Sequence, residues 1–165
     1  MVSIFVQRNQ SDYVVEGTAK WSRALIRESN LPYPPRTIRQ EAGYIRQRAP
    51  GGIIILRIGD SRPETINAWY DDCLRLMAGW QPARQMRYLH DIRGVGLPTP
   101  HATDRVAQVL QRMRQIPVSD GRGAIVVTNL TLARLLESVI KRRPRTNWHI
   151  RCMADEHGAL AWLRG

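Results

Sequence analysis

Four histidines are the residues best suited to acid–base or metal chemistry, and their spacing limits what they can do. His90 and Asp91 are adjacent in a run that reads as a strand. Their side chains then leave opposite faces and cannot share a ligand. His101 and Asp104 stand three apart where a helix starts, so they can meet on one face. That arrangement suits a cap or a surface pair as well as a site. His149 falls in a strand and His157 on the last helix. No H-x-x-x-H, H-E-x-x-H or C-x-x-C spacing occurs. Cys73 and Cys152 lie far apart in apolar patterns and read as small buried thiols. There is no Gly-x-Ser-x-Gly elbow. Asp71 and Asp72 are sequential on a helix and read as solvated surface. No catalytic residue, metal ligand or cofactor is therefore expected.

Two glycine pairs, Gly94-Val95-Gly96 and Gly121-Arg122-Gly123, lack a third glycine or a following Lys-Ser/Thr. They read as loop geometry or as a minimal phosphate cradle. Charge is the strongest compositional signal. Lys and Arg total 25 against 14 Asp and Glu, a formal net charge of +11, and only Lys20 and Lys141 are lysine. Lys141, Arg142, Arg143 and Arg145 cluster at a helix end near Trp148 and Arg151. This cluster is the expected anion-binding patch, for phosphate backbone or anionic lipid headgroups.

The elements that must position these residues follow from pattern. The chain has 165 residues, 43% of them hydrophobic, which fits one folded domain. Residues 1–36 read as an N-terminal arm. Val2–Gln7 and Asp12–Glu16 suggest strands, Thr18–Ser29 suggests a helix, and the proline-rich 30–35 suggests an extended linker. The domain then spans 37–165. Ala42–Arg48 and Ile53–Ile58 read as a hairpin, the second strand buried on both faces. Ser61-Arg62-Pro63-Glu64 matches a capping box opening a helix with Ile66, Trp69, Tyr70, Cys73, Leu74, Met77 and Trp80 on one stripe. Strands follow at Arg87–Ile92, Ala124–Thr128 and Trp148–Met153. Helices follow at Ala102–Ile116, around Leu132–Ile140, and at Asp155–Leu163. Such alternation implies an α/β sheet with crossover helices.

From about Thr37 to Gly165 this order resembles the STAS superfamily, and more closely its SpoIIAA-like branch. Three stretches carry the resemblance. They are Ile55-Leu56-Arg57-Ile58-Gly59-Asp60 with its Pro-Glu helix start, Arg87 to Leu97 with an Asp-x-x-Gly-x-Gly loop, and the Ala154–Leu163 ending. The resemblance implies a mixed sheet and a non-enzymatic, protein-binding or regulatory module. In anti-sigma-factor antagonists of this fold the loop reads Asp-Ser-Ser-Gly, and a kinase phosphorylates the second Ser. Here Arg93 holds that position, so the phospho-acceptor is missing and a fixed positive charge suits an acidic partner. The partner surface implied is the loop Asp91–Thr103 with the following helix and the hairpin edge. Its residues are Asp91, Arg93, Gly94, Gly96, Thr99 and His101.

A protein partner is the leading expectation; the arm's apolar Ile4, Phe5, Val6, Trp21, Leu25 and Ile26 are expected to pack either on the sheet's edge or on a second subunit, the latter giving a homodimer. The alternative is a basic protein that binds nucleic acid or an anionic membrane, with affinity falling as salt rises. An enzyme or carrier of a small apolar ligand would need a closed pocket with convergent polar groups. No secretory signal or run of roughly 18 apolar residues is visible, so a cytoplasmic location is expected.

Overall fold

Ile54–Ile58 forms a central strand because its β-branched run can be buried on both faces, and every residue in it is buried. The computed structural model describes residues 35–81, 85–116, 120–141 and 147–165. The arm strands, the arm helix and Arg142, Arg143 and Arg145 lie outside the described residues. The strands are β1 (Arg36–Glu41), β2 (Tyr44–Arg48), β3 (Ile54–Ile58), β4 (Met86–Asp91), β5 (Gly121–Val126) and β6 (Trp148–Met153). The helices are α1 (Pro63–Ala78), α2 (Pro100–Met113), α3 (Leu130–Lys141) and α4 (Glu156–Arg164). The six strands form one mixed sheet in the order β1-β2-β3-β4-β5-β6. β1, β2 and β3 pair antiparallel, and β3 to β6 run parallel.

Strand alternation sorts the core into two layers. Tyr44, Leu56, Tyr88 and their neighbours face α1 and α2, where they meet Ile66, Trp69, Val109 and Met113. Ile55, Leu89, Ala124 and Val126 face the other way, onto Ala159, Leu160 and Leu163 of α4. α3 packs against β6. The hairpin expected from Ala42–Arg48 and Ile53–Ile58 is β2 paired with β3, Tyr44 opposite Ile58.

Several expectations are corrected. β1 is a strand that the sequence does not signal, since Arg36–Glu41 is polar and largely exposed and shows no apolar alternation. β1 also carries a bulge between Thr37 and Arg39. Gly121-Arg122-Gly123 is not a turn but lies within β5. A Cβ at Gly121 would stand 2.4 Å from the Trp148 ring, and one at Gly123 2.4 Å from the Tyr88 ring. The two glycines let neighbouring aromatic rings lie across the strand, which leaves no phosphate cradle there. The capping box does not form either: the N-cap of α1 is Arg62 and makes no side-chain cap bond. Asp60 Oδ1 accepts from the Arg62 backbone N–H at 3.0 Å instead.

No described helix is long and apolar enough to cross a membrane.

Candidate functional site

The loop after β4 takes its shape from a buried ion network that begins in β3. Arg57 is 1% exposed. Its Nε donates to Gln47 Oε1 at 2.8 Å, and Gln47 Nε2 donates to Thr37 Oγ1 at 3.3 Å. One guanidinium nitrogen donates to Asp91 Oδ2 at 2.6 Å and to Glu156 Oε2 at 2.8 Å; the other donates to Glu156 Oε1 at 2.6 Å. The fork of Arg57 thus grips the first residue of α4 in bidentate fashion. Strand pairing brings Arg57 beside Asp91, and Asp155 starts α4 by accepting from Gly158 N–H at 2.7 Å. That cap sets Glu156 in the first turn, over the sheet.

Arg93 closes the network from the loop side. Its backbone N–H donates to Asp91 Oδ1 at 3.3 Å, its Nε to Oδ1 at 2.9 Å and a terminal nitrogen to Oδ2 at 2.8 Å. The same nitrogen stands 3.5 Å from Glu156 Oε2. Two arginines and two carboxylates therefore balance. Burial alone pushes Asp91 up, but hydrogen bonds from Arg93 and the nearby Arg57 charge outweigh it and hold Asp91 below the usual carboxylate range. Burial likewise pulls Arg57 down, and the bonds to Glu156 and Asp91 raise it above its usual value.

Gly94 fixes the loop a second time. A Cβ there would lie 2.5 Å from the Gly59 carbonyl oxygen, so the loops after β3 and β4 meet backbone to backbone. At Gly96 a Cβ would meet nothing within 4 Å. Thr99 caps α2, its Oγ1 accepting from Ala102 N–H at 3.2 Å. His101 Nε2 stands 3.1 Å from Asn67 Oδ1 on α1, the oxygen that also accepts from Arg105 Nε at 3.2 Å. His101 therefore joins α2 to α1 rather than pairing with Asp104. Between these fixed points Gly94, Gly96, Leu97 and Pro98 are exposed, Leu97 to 66%.

Of the residues expected to meet a partner, Gly94, Gly96, Thr99 and His101 share this loop and its helix start. Asp91 is buried beneath it and reaches no surface. Arg93 is 22% exposed and spends its charge on Asp91 and Glu156, so the fixed positive charge expected for an acidic partner is already neutralised. Of the expected anion patch, Lys141 ends α3 and is exposed, while Arg142, Arg143 and Arg145 lie outside the described residues. Arg151 stacks over the Trp162 ring at 5.1 Å, on the opposite side of β6 from Trp148.

Sequence reading missed three groups. Arg57 has no signal of its own beyond its place in the Ile53–Ile58 strand, read as buried on both faces. Glu156 gave no signal, since its partner lies 99 residues away. Asp72, read as solvated surface, is 1% exposed. Its Oδ2 accepts from Tyr44 Oη at 2.7 Å, and its Oδ1 from Arg46 at 3.0 Å and Arg39 at 3.4 Å. Burial and the Asp72 carboxylate push the Tyr44 hydroxyl well above its usual range. Cys73 is buried as expected, but Cys152 only in part. Burial raises both thiols.

His90 borders a small cavity between the sheet, α1 and α2, alongside Cys73, Met77, Met86, Tyr88 and Met113. The cavity holds about 30 Å³, space for water but not for an apolar ligand. Trp69 Nε1–H donates to His90 Nε2 at 3.4 Å, and burial lowers the His90 pKa to about 4. Among the described residues no three His, Cys, Asp or Glu side chains are grouped to hold a metal ion.

No protein-family model and no curated protein matches the sequence. One solved structure is similar, an uncharacterized protein of the DUF3478 family with a SpoIIAA-like fold from Shewanella loihica PV-4. It superposes with a TM-score of 0.55 at 16% identity, over 76% of this chain and 96% of that one. The mixed sheet and its crossover helices thus have a SpoIIAA-like fold.

Proposed function

We propose that the chain is a non-enzymatic, protein-binding module of regulatory type, with the loop 92–99 and the start of α2 as its contact surface. The observation that carries this reading is the contrast inside the loop. Its base is held by the Arg57–Asp91–Arg93–Glu156 network and by the Gly94–Gly59 contact, yet Leu97 stands 66% exposed at its crest. A large apolar side chain on a preorganised loop is a suitable anchor, because little ordering entropy remains to be lost on binding. Arg93 replaces a modifiable hydroxyl with a structural cation, so regulation would act through the partner's availability rather than through phosphorylation of this loop.

The test is site-specific photo-crosslinking in cells from the host. A photoreactive residue at Leu97 should give one stoichiometric protein adduct, and the same probe at exposed Gln111 on α2 should not. No adduct at Leu97, or the same adducts from both positions, would overturn the reading.

A further inference from the structure

Four arginines face one another across the β1–β2 ladder. The bulge between Thr37 and Arg39 places Arg36 and Arg39, three residues apart, opposite Arg48 and Arg46 respectively. Partners across an antiparallel ladder share a face, so four arginines line one side of the β1–β2 hairpin as two facing pairs. The inner pair is neutralised from within. Arg46 and Arg39 share Asp72 Oδ1, and Arg39 also pairs with Glu41. The outer pair, Arg36 and Arg48, is exposed and has no carboxylate within 4 Å among the described residues. Facing like charges cost stability unless an anion lies between them.

We infer that Arg36 and Arg48 form a docking site for a carboxylate of an acidic protein segment. The inner pair supplies the template, one carboxylate oxygen shared by two facing guanidinium groups. The surroundings favour protein over single-stranded nucleic acid, because β1 and β2 offer no exposed aromatic ring on which a base could stack: Tyr44, their one aromatic residue, is fully buried. The site is separate from the loop 92–99. Arg48 pairs with Ile54 where β3 begins, whereas the loop follows Asp91 beside Arg57 near its end. It therefore stands or falls independently of the Leu97 reading.

Fluorescence anisotropy with labelled octaglutamate, on the full chain at low ionic strength, tests the site. The double variant Arg36→Gln, Arg48→Gln should bind about ten-fold more weakly. The charge-matched double variant Arg112→Gln, Arg114→Gln at the C-terminal end of α2 should stay within about two-fold of the parent. Equal weakening in both would reduce the effect to net charge and overturn the site, as would failure of the parent to bind. Tighter binding of oligothymidylate, lost in the Arg36, Arg48 variant, would overturn the choice of a protein ligand. The urea midpoint of that variant should be unchanged or raised, since a like-charge pair is removed; a fall would show the pair to be satisfied within the fold and would also overturn the inference.

Discussion

Arg57 and Glu156 meet fork to fork, at 2.6 and 2.8 Å, across 99 residues of sequence. This contact ties the first turn of α4 to the centre of the sheet and makes the loop after β4 depend on a strand two elements upstream. Replacing Arg57 with Met should destabilise the fold by about 3–5 kcal/mol, because Asp91 and Glu156 would keep only Arg93 as counter-charge. Adding Asp91→Leu and Glu156→Leu to the same chain should recover part of that loss. Urea unfolding of the single and triple variants measures both.

The two loop glycines should behave differently. Gly94→Ala forces a Cβ within 2.5 Å of the Gly59 carbonyl, so two backbones must separate at a cost of about 2 kcal/mol or more. Gly96→Ala meets open space and should change the urea midpoint by less than about 0.5 kcal/mol equivalent.

Just before α1 the chain is held by Asp60, two residues ahead of the N-cap Arg62. Asp60→Ala should cost about 1 kcal/mol, through loss of the bond from the Arg62 backbone N–H and of the hydrogen bond with Thr65. Ser61→Ala should be nearly neutral in the same thermal or urea measurement.

Stability should fall in two separate pH windows. His90 has a depressed pKa of about 4 in the fold, against an ordinary 6.5. Between these values the unfolded chain binds a proton that the fold does not. The His90 contribution is therefore complete above about pH 6.5 and lost as pH falls toward 4, on the order of 2–3 kcal/mol. His90→Phe should flatten this window. Asp91 and Asp60 are both held below the ordinary 3.8. Their contributions are complete above that value and lost as pH falls through their own lower ones. Asp91→Asn should reduce the acid limb alone. Urea midpoints taken from pH 7 downward separate the two.

Elements with strong local periodicity are legible in the sequence. β6 spans Trp148–Met153 as read, and the apolar stripe of α1 buries Ile66, Trp69 and Cys73 as its spacing requires. What escaped was non-local. β1 exists because β2 offers it a ladder, not because Arg36–Glu41 favours a strand on its own. Asp72 looks like helix surface until Tyr44 and two arginines from the hairpin close over it. The loop motif Asp91-x-x-Gly94 was visible, but its purpose was not. Asp91 holds the loop from beneath, and Gly94 makes room for Gly59.

The bulge in β1 also bears on how the sheet could grow. It interrupts the ladder at that margin, whereas β6 pairs with β5 in unbroken register and no described strand covers its outer side. A sheet extends without limit only if both of its margins accept a neighbour. With an irregular ladder at one margin, the regular edge among the described strands is that of β6.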